Sequence, residues 1–272
     1  DGNEMVIDGT ENTDRQNMRI YTRLDTSRTY LNADLNGVYY GMRYGYWKSG
    51  ETYRAQSGLS EFDGNGNVSH FTTRNKNGIV DEFADSHTYS VYPDGSFTRN
   101  DGAVGALLWE GIGAVRTDAY SANTFSLGVS IKKQDRQYAT SDLAGQWVIA
   151  AIGDDSGTSF NAEFGTLTCD NNGHCILSAK NQRDGAIKYE SFNLNLSVAS
   201  DGSFGKSVNP DFPPYAGAIG NNGNSIIFNV SFDPNQLYHR EIFAGVRCSN
   251  CAIDTDMDGV PDSNDNCPSI SN

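Results

Sequence analysis

The sequence predicts an all-β chain of two homologous antiparallel β-barrel (or β-sandwich) units in tandem, followed by a short irregular tail. Two observations carry this reading. Segments of alternating apolar and polar residues recur along most of the 272 residues, a pattern that buries one face of each strand and wets the other. Turn motifs then repeat at a nearly constant spacing, the mark of a duplicated unit. Composition agrees: with 29 Gly, 14 Tyr and 13 Phe and no long stretch of helical period, the chain suits short strands joined by tight turns.

The elements follow in chain order. Residues 1–33 are polar and poor in core residues apart from Met18-Arg19-Ile20-Tyr21-Thr22-Arg23-Leu24, so a disordered leader plus one edge strand is expected on this N-terminal arm. A sharper expectation is that this arm adds a strand to a neighbouring subunit. The first repeat is placed at 34–135 and the second at 142–247. Asp34-Leu35-Asn36-Gly37-Val38-Tyr39 aligns with Asp142-Leu143-Ala144-Gly145-Gln146-Trp147 at an offset of 108. Gly58, Asp63 and Gly66 recur as Gly165, Asp170 and Gly173, and Ser90-Val91 with Asp94-Gly95-Ser96-Phe97 recurs as Ser197-Val198 with Asp201-Gly202-Ser203-Phe204, both at 107. Asp-Gly is a strong two-residue hairpin signal. Gly128-Val129 aligns with Gly245-Val246 at 117, so the second copy is read as about ten residues longer, near Pro210–Pro214.

Within the units, Val38–Trp47, Ser86–Tyr92 and Thr124–Ile131 alternate in the first copy, as do Ser191–Val198 and Ser225–Phe232 in the second. About seven or eight such strands per unit, joined by hairpins, close most simply as an up-and-down barrel. The Leu-x-Gly-x-Tyr/Trp strand, the Gly-x-Leu hairpin and the Asp-Gly turn together resemble the lipocalin-like barrels of secreted bacterial proteins. That resemblance implies a barrel fold over most of 34–247.

The totals exclude some functions. Lys and Arg number 20 against 34 Asp and Glu, a formal charge of −14 and a pI near 4.5, so a polyanion such as nucleic acid is repelled. No apolar run approaches the roughly 18 residues a spanning helix requires. The chain starts at Asp1 without a charged-then-apolar leader, so a mature, soluble product is expected, its leader, if any, removed. Five cysteines are present, at 169, 175, 248, 251 and 267. Cys248 and Cys251 have no second close pair of Cys or His ligands to complete a zinc site, so disulfides in an oxidising compartment are expected. Cys169 and Cys175 flank one hairpin and are expected to staple it.

Residues 248–272 carry the most specific motif. Asp254, Asp256, Asp258, Asp262 and Asp265 occupy positions 1, 3, 5, 9 and 12 of a loop with Gly259 at position 6. Ca²⁺ takes six to eight oxygens at about 2.3–2.6 Å, and this spacing aims side chains at one centre while Gly permits the sharp turn. Val260, at position 7, offers its backbone carbonyl. Five carboxylates within twelve residues repel one another without a cation, so metal and local order are coupled. Helices on either side, as an EF-hand needs, are ruled out by Cys267-Pro268 and by the cysteines ahead. The residues resemble the thrombospondin type 3 repeat, with Asp-x-Asp-x-Asp-Gly-x-x-Asp-x-x-Asp-x-Cys-Pro met at each marked place. The resemblance implies a calcium-wrapped tail, cross-linked by disulfides and usually part of an array, so the natural chain is expected to continue or to be processed here. Cys267 can close on Cys248 or on Cys251.

No catalytic motif accompanies these features. A Gly-x-Ser-x-Gly elbow, an HExxH helix, a phosphate-binding glycine loop and a dinucleotide fingerprint are all missing. His70, His87, His174 and His239 are scattered through strand and turn contexts and read as surface or satisfied core residues. Glu61 and Glu163 are the carboxylates that could meet an Asp inside a barrel. Tyr39, Tyr40, Tyr44, Tyr46 and Trp47 read as packing aromatics, with a ligand-lining role as the alternative. The expectation is a non-enzymatic, calcium-binding structural or interaction protein, extracellular or on a bacterial cell surface. Its expected partners are copies of itself or other surface proteins, met through the arm or the tail. The alternative is a lipocalin-like carrier holding a small apolar ligand or glycan in a barrel.

Overall fold

A computed structural model describes residues 5–9, 18–22, 27–47, 52–76, 79–108, 113–118, 124–154, 160–183, 186–205, 215–230 and 240–248. Among them the chain is all-β, with short 3-10 turns and no α-helix. In the arm, β1 (Met5–Gly9) and β2 (Met18–Thr22) pair antiparallel as a sheet of their own. The single strand expected at Met18–Leu24 is therefore paired inside the arm.

Eight strands form the first barrel: β3 (Asn36–Trp47), β4 (Thr52–Asp63), β5 (Asn67–Lys76), β6 (Ile79–Val91), β7 (Ser96–Arg99), β8 (Ala103–Leu107), β9 (Gly113–Asp118) and β10 (Thr124–Lys132). They run as an antiparallel meander, and β10 pairs back onto β3 to close it. The second unit repeats this order with β11 (Gly145–Asp154), β12 (Phe160–Cys169), β13 (His174–Arg183), β14 (Ala186–Asn195), β15 (Ser203–Gly205), β16 (Tyr215–Gly220), β17 (Ser225–Val230) and β18 (Arg240–Cys248). Here β18 returns to β11, while β14 and β15 are the two edges of the curled sheet. Those edges approach at the bridge Val198↔Phe204, the counterpart of Val91↔Phe97 in the first barrel.

The duplication holds at the level of single hydrogen bonds. Asp63 accepts from the backbone N–H of Asn65 and Asn67 at 2.7 and 2.9 Å; Asp170 does the same for Asn172 and His174 at 2.8 and 2.9 Å. Asp94 and Asp201 each accept from the N–H and the hydroxyl of the Ser two residues on. These are Asx-type turns, in which a short carboxylate satisfies the N–H groups a tight reversal exposes. They explain the acidic turns without metal.

Each unit also owns a plug that the repeated turn motifs mark only from Asp34 and Asp142 onward. Tyr30, in the segment before β3, bonds its N–H to the carbonyl of Pro93, and Asp34 closes the turn by accepting from the N–H of Leu31 and pairing with Arg28. Tyr138, Asp142 and Arg136 repeat this arrangement before β11. Tyr30, Leu35, Tyr138 and Leu143 are buried, so each plug seals one end of its barrel.

Strand register refines the length difference. Lys132 pairs with Tyr39 and lies over its ring; Arg247 pairs with Trp147 and lies over its ring. The equivalent positions on the last strands are thus 115 apart, two fewer than the Gly-Val alignment suggests, because that pair of small and β-branched residues recurs by chance two places along.

Both faces of β3 are buried, as a run this rich in aromatics requires. Tyr39 points into the first barrel, while Tyr40, Met42 and Tyr44 join Val129 and Ile131 in a core shared with Ile152, Ile242 and Ala244 of the second. Two polar clamps accompany this apolar seam. The Tyr40 hydroxyl donates to Asp201 at 2.8 Å, and Lys133 reaches the same carboxylate. Tyr44 donates to Asp154 at 3.0 Å, and Arg240 grips Asp154 with two N–H donors at 3.1 and 2.7 Å. A third N–H of Arg240 reaches the carbonyl of Tyr53. The two barrels are therefore one packed body.

Candidate functional site

The lumen of the first barrel divides into two levels. Next to the plug it is apolar: Tyr39, Phe62, Val68, Tyr89, Phe97 and Leu107 are buried together, with Phe62 edge-on to Tyr39 and Tyr89 at 5.2 and 5.3 Å. Further along the same inward-facing rows, pairing register brings polar side chains to one layer. Gly41 pairs with Gly58, Arg43 with Gln56, Ser60 with His70, His70 with Asp85, and Gly128 with Arg116.

His70 sits at the centre of this layer. Ser60 Oγ lies 2.7 Å from its Nδ1, and Arg99 Nη1 donates to its Nε2 at 2.8 Å. An acceptor at Nε2 requires the proton on Nδ1, which then donates to Ser60. Burial, followed by the charges of Arg116 and Arg99, pushes the His70 pKa down to about 2, so the ring is neutral. Arg99 is paired with Asp101, and His87 lies beside Asp85 at 3.2 Å. Arg43 donates to Ser126 at 3.0 Å and to Gln56 at 3.4 Å. Between these groups is a cavity of about 30 Å³ whose wall includes Gly41, Arg43, Gln56, Ser60, His70 and Arg116.

His70, Asp85 and His87 place ligand atoms within 4.8 Å of one another. Their surroundings do not suit a metal ion. Arg99 already occupies the Nε2 lone pair of His70 and its Nδ1 carries the proton given to Ser60, so His70 has no free lone pair to offer a cation.

The sequence-predicted calcium ligands Asp254, Asp256, Asp258, Val260, Asp262 and Asp265 lie outside the described residues. The structure does describe their anchorage. Arg247, at the end of β18, donates to the carbonyls of Gly223, Ala144 and Asp142, and Cys248 is disulfide-bonded. The tail therefore departs from a fixed point on the second barrel. Cys169 and Cys175 form the expected staple across the β12–β13 hairpin, Cα atoms 4.0 Å apart.

Of the remaining candidates, Glu61 is exposed and Glu163 is buried, accepting from Asn181 at 2.6 Å. The aromatics of β3 are core and interface residues rather than a cavity lining, except that the side chains of Tyr46 and Trp47 lie outside the described set. Scattered in sequence, His70 and His87 come to 5.7 Å between ring centroids. The signal that could have found this layer is the duplication itself, since Arg43, Ser60, His70 and Arg116 have apolar counterparts in the second copy.

Comparison with known proteins identifies the tail alone. The thrombospondin type 3 repeat family matches residues 249–272, which bears out the resemblance and points to calcium binding. No curated protein matches the chain. Among solved structures, a protein of unknown function from the DUF3598 family of Nostoc punctiforme is 12% identical, covers 79% of this chain and 97% of its own, and has a TM-score of 0.29. CghA with Sch210972 is 8% identical, covers 78% of this chain and 88% of its own, also with a TM-score of 0.29. Scores of this size add nothing to the description of the site. Among the described residues no helix is long and apolar enough to cross a membrane.

Proposed function

We propose that this protein is a non-catalytic, calcium-binding structural or interaction protein of the bacterial exterior, a rigid double barrel that presents a calcium-stiffened tail to a partner or to the next repeat. The observation that carries the reading is the tail: five aspartates and one glycine at calcium-loop spacing, inside a segment that matches the thrombospondin type 3 repeat. The shared core and the two polar clamps support rigidity, because a seam that buries several large side chains, each worth about 1.5–3 kcal/mol, resists bending. Two disulfide-bonded sites support an oxidising compartment. Limited proteolysis tests it. With calcium the tail should resist cleavage, and chelator or the Asp256→Ala, Asp258→Ala double variant should open it while 34–247 stays intact. Equal cleavage with and without calcium would contradict the reading.

A further inference from the structure

The two barrels are an internal experiment on what the fold requires. Strand register equates Arg43 with Ala151, Ser60 with Leu167, His70 with Leu177, Asp85 with Phe192, His87 with Leu194 and Arg116 with Phe228. The same ladders equate Gly41 with Ile149 and Gly128 with Phe243. Each of these six polar positions is apolar in the second barrel, while Gln56 and Ser126 correspond to the buried Glu163 and Glu241. There, Ile149, Leu167, Leu177, Leu194, Phe228 and Phe243 are buried in one core, and Phe228 stacks on Phe243 at 4.4 Å, filling the space. The second unit therefore packs a continuous core without arginine, histidine or serine at these positions.

Burying the Arg43 guanidinium beside the half-buried Arg116 is costly compared with burying hydrocarbon of similar volume, so their presence in one copy calls for a return other than stability. The small residues point the same way. Gly41 and Gly128 stand where the second barrel has Ile and Phe, and a Cβ on Gly41 would lie 3.1 Å from Ser130 Oγ and 3.9 Å from Ser60 Oγ, inside the space that now forms the cavity. Among the described residues, the cavity wall carries two guanidinium groups, hydroxyls, an amide and a neutral imidazole, and no carboxylate. In the same layer Asp101 and Asp85 are engaged by Arg99 and His87, and the cavity itself is faced by Arg43 and Arg116.

We infer that the lumen of the first barrel is a binding site for the oxyanion group of a small molecule, a carboxylate or phosphate held between Arg43 and Arg116 with Ser60, Ser130 and Gln56 as further polar partners. Planar, multiply donating guanidinium groups match such oxyanions in shape as well as charge. A cavity this size admits the charged group and leaves the rest of the ligand toward the barrel mouth. The second barrel, where Phe228 and Phe243 stack and Glu163 and Glu241 replace Gln56 and Ser126, is not expected to hold an oxyanion at this level.

The test is calorimetric titration of the intact chain with malonate and, separately, inorganic phosphate, in calcium-free buffer so that the tail plays no part. Saturable binding of either supports the site, and which binds identifies the source of the oxyanion. Three variants borrow residues the second barrel already tolerates or fill the space: Arg116→Phe, Arg43→Ala and Gly41→Ile. Each should weaken binding at least about tenfold while circular dichroism and cooperative melting persist. Arg116→Lys, which keeps the charge and the fold but loses the planar fork, should weaken it by less. Absence of saturable binding to the wild-type chain, or variants that bind as well as wild type, would overturn the proposal. An equal affinity for uncharged malonamide would overturn it too. Failure of calcium to bind the tail would leave this result unaffected.

Discussion

Replacing Asp154 by Ala probes the joint between the barrels. Asp154 is fully buried and Arg240 is 1% exposed. The carboxylate accepts from the Tyr44 hydroxyl of the first barrel and from two N–H groups of Arg240 on the second. Burial, then the charge of Asp154, holds the Tyr44 hydroxyl protonated, its pKa well above the usual tyrosine range, so it donates at every accessible pH. Asp154→Ala leaves a buried guanidinium without its carboxylate and a phenol without its acceptor. Breaking a buried pair in this way costs about 3–5 kcal/mol, which for a chain of this size lowers Tm by roughly 10 °C. Denaturant unfolding followed by near-UV circular dichroism measures it. The double replacement Asp154→Leu, Arg240→Leu should recover most of the loss, because a well-packed apolar pair of similar volume is often as stable as a buried ion pair. A single variant within ~1 kcal/mol of wild type would refute the view that this clamp is desolvated and shared, since an exposed pair is worth no more than that.

Two further outcomes follow from the described residues. His70 is held neutral with its pKa near 2 against an ordinary value of 6.5, so the unfolded chain takes up a proton first as pH falls. Stability should be full above about pH 6.5 and decline below it by up to ~1.4 kcal/mol per pH unit; His70→Leu should flatten that slope between pH 6.5 and 5, and an unchanged slope in urea melts would refute the assignment. Gly173 has φ +81°, and a Cβ there would lie 1.9 Å from the carbonyl oxygen of Leu196, so Gly173→Ala should cost more than the ~1–3 kcal/mol of backbone strain alone. The matched Gly66→Ala, whose Cβ would meet Tyr89 O at 3.1 Å, should cost less, and equal losses would contradict the difference in packing.

The sequence made the repeat legible because its turns are held by local chemistry. Asp63 and Asp170, or Asp94 and Asp201, satisfy N–H groups two to four residues away, so motif and hydrogen bond coincide. Alternation along β3 likewise announced a strand. What it concealed is long-range. Tyr40 and Tyr44 have the same pattern whether they face solvent, a ligand or a second barrel, and only the fold brings Asp201 and Asp154 to them. Of the plug's Arg28, Tyr30 and Asp34, only Asp34, with its match Asp142, falls inside a repeated motif; Arg28 and Tyr30 match Arg136 and Tyr138 across unlike residues. The polar layer of the first lumen was in principle visible, through Arg43 against Ala151 or Arg116 against Phe228. Aligning it needed the strand registers, since the last strands are shifted by 115 and not by the spacing their Gly-Val pairs suggest. For the tail, the aspartate spacing conveyed the resemblance to the thrombospondin type 3 repeat that the family match bears out, because a loop of that kind draws its motif from one short segment.

The most direct test of the central claim is calorimetric titration of the intact chain with Ca²⁺ at physiological ionic strength, beside the Asp256→Ala, Asp258→Ala variant. The account predicts saturable binding by the wild-type chain that is lost in the variant, while Mg²⁺ at the same concentration releases little heat. Wild-type and variant chains that take up calcium equally, or a wild-type chain that takes up none at millimolar concentration, would contradict it.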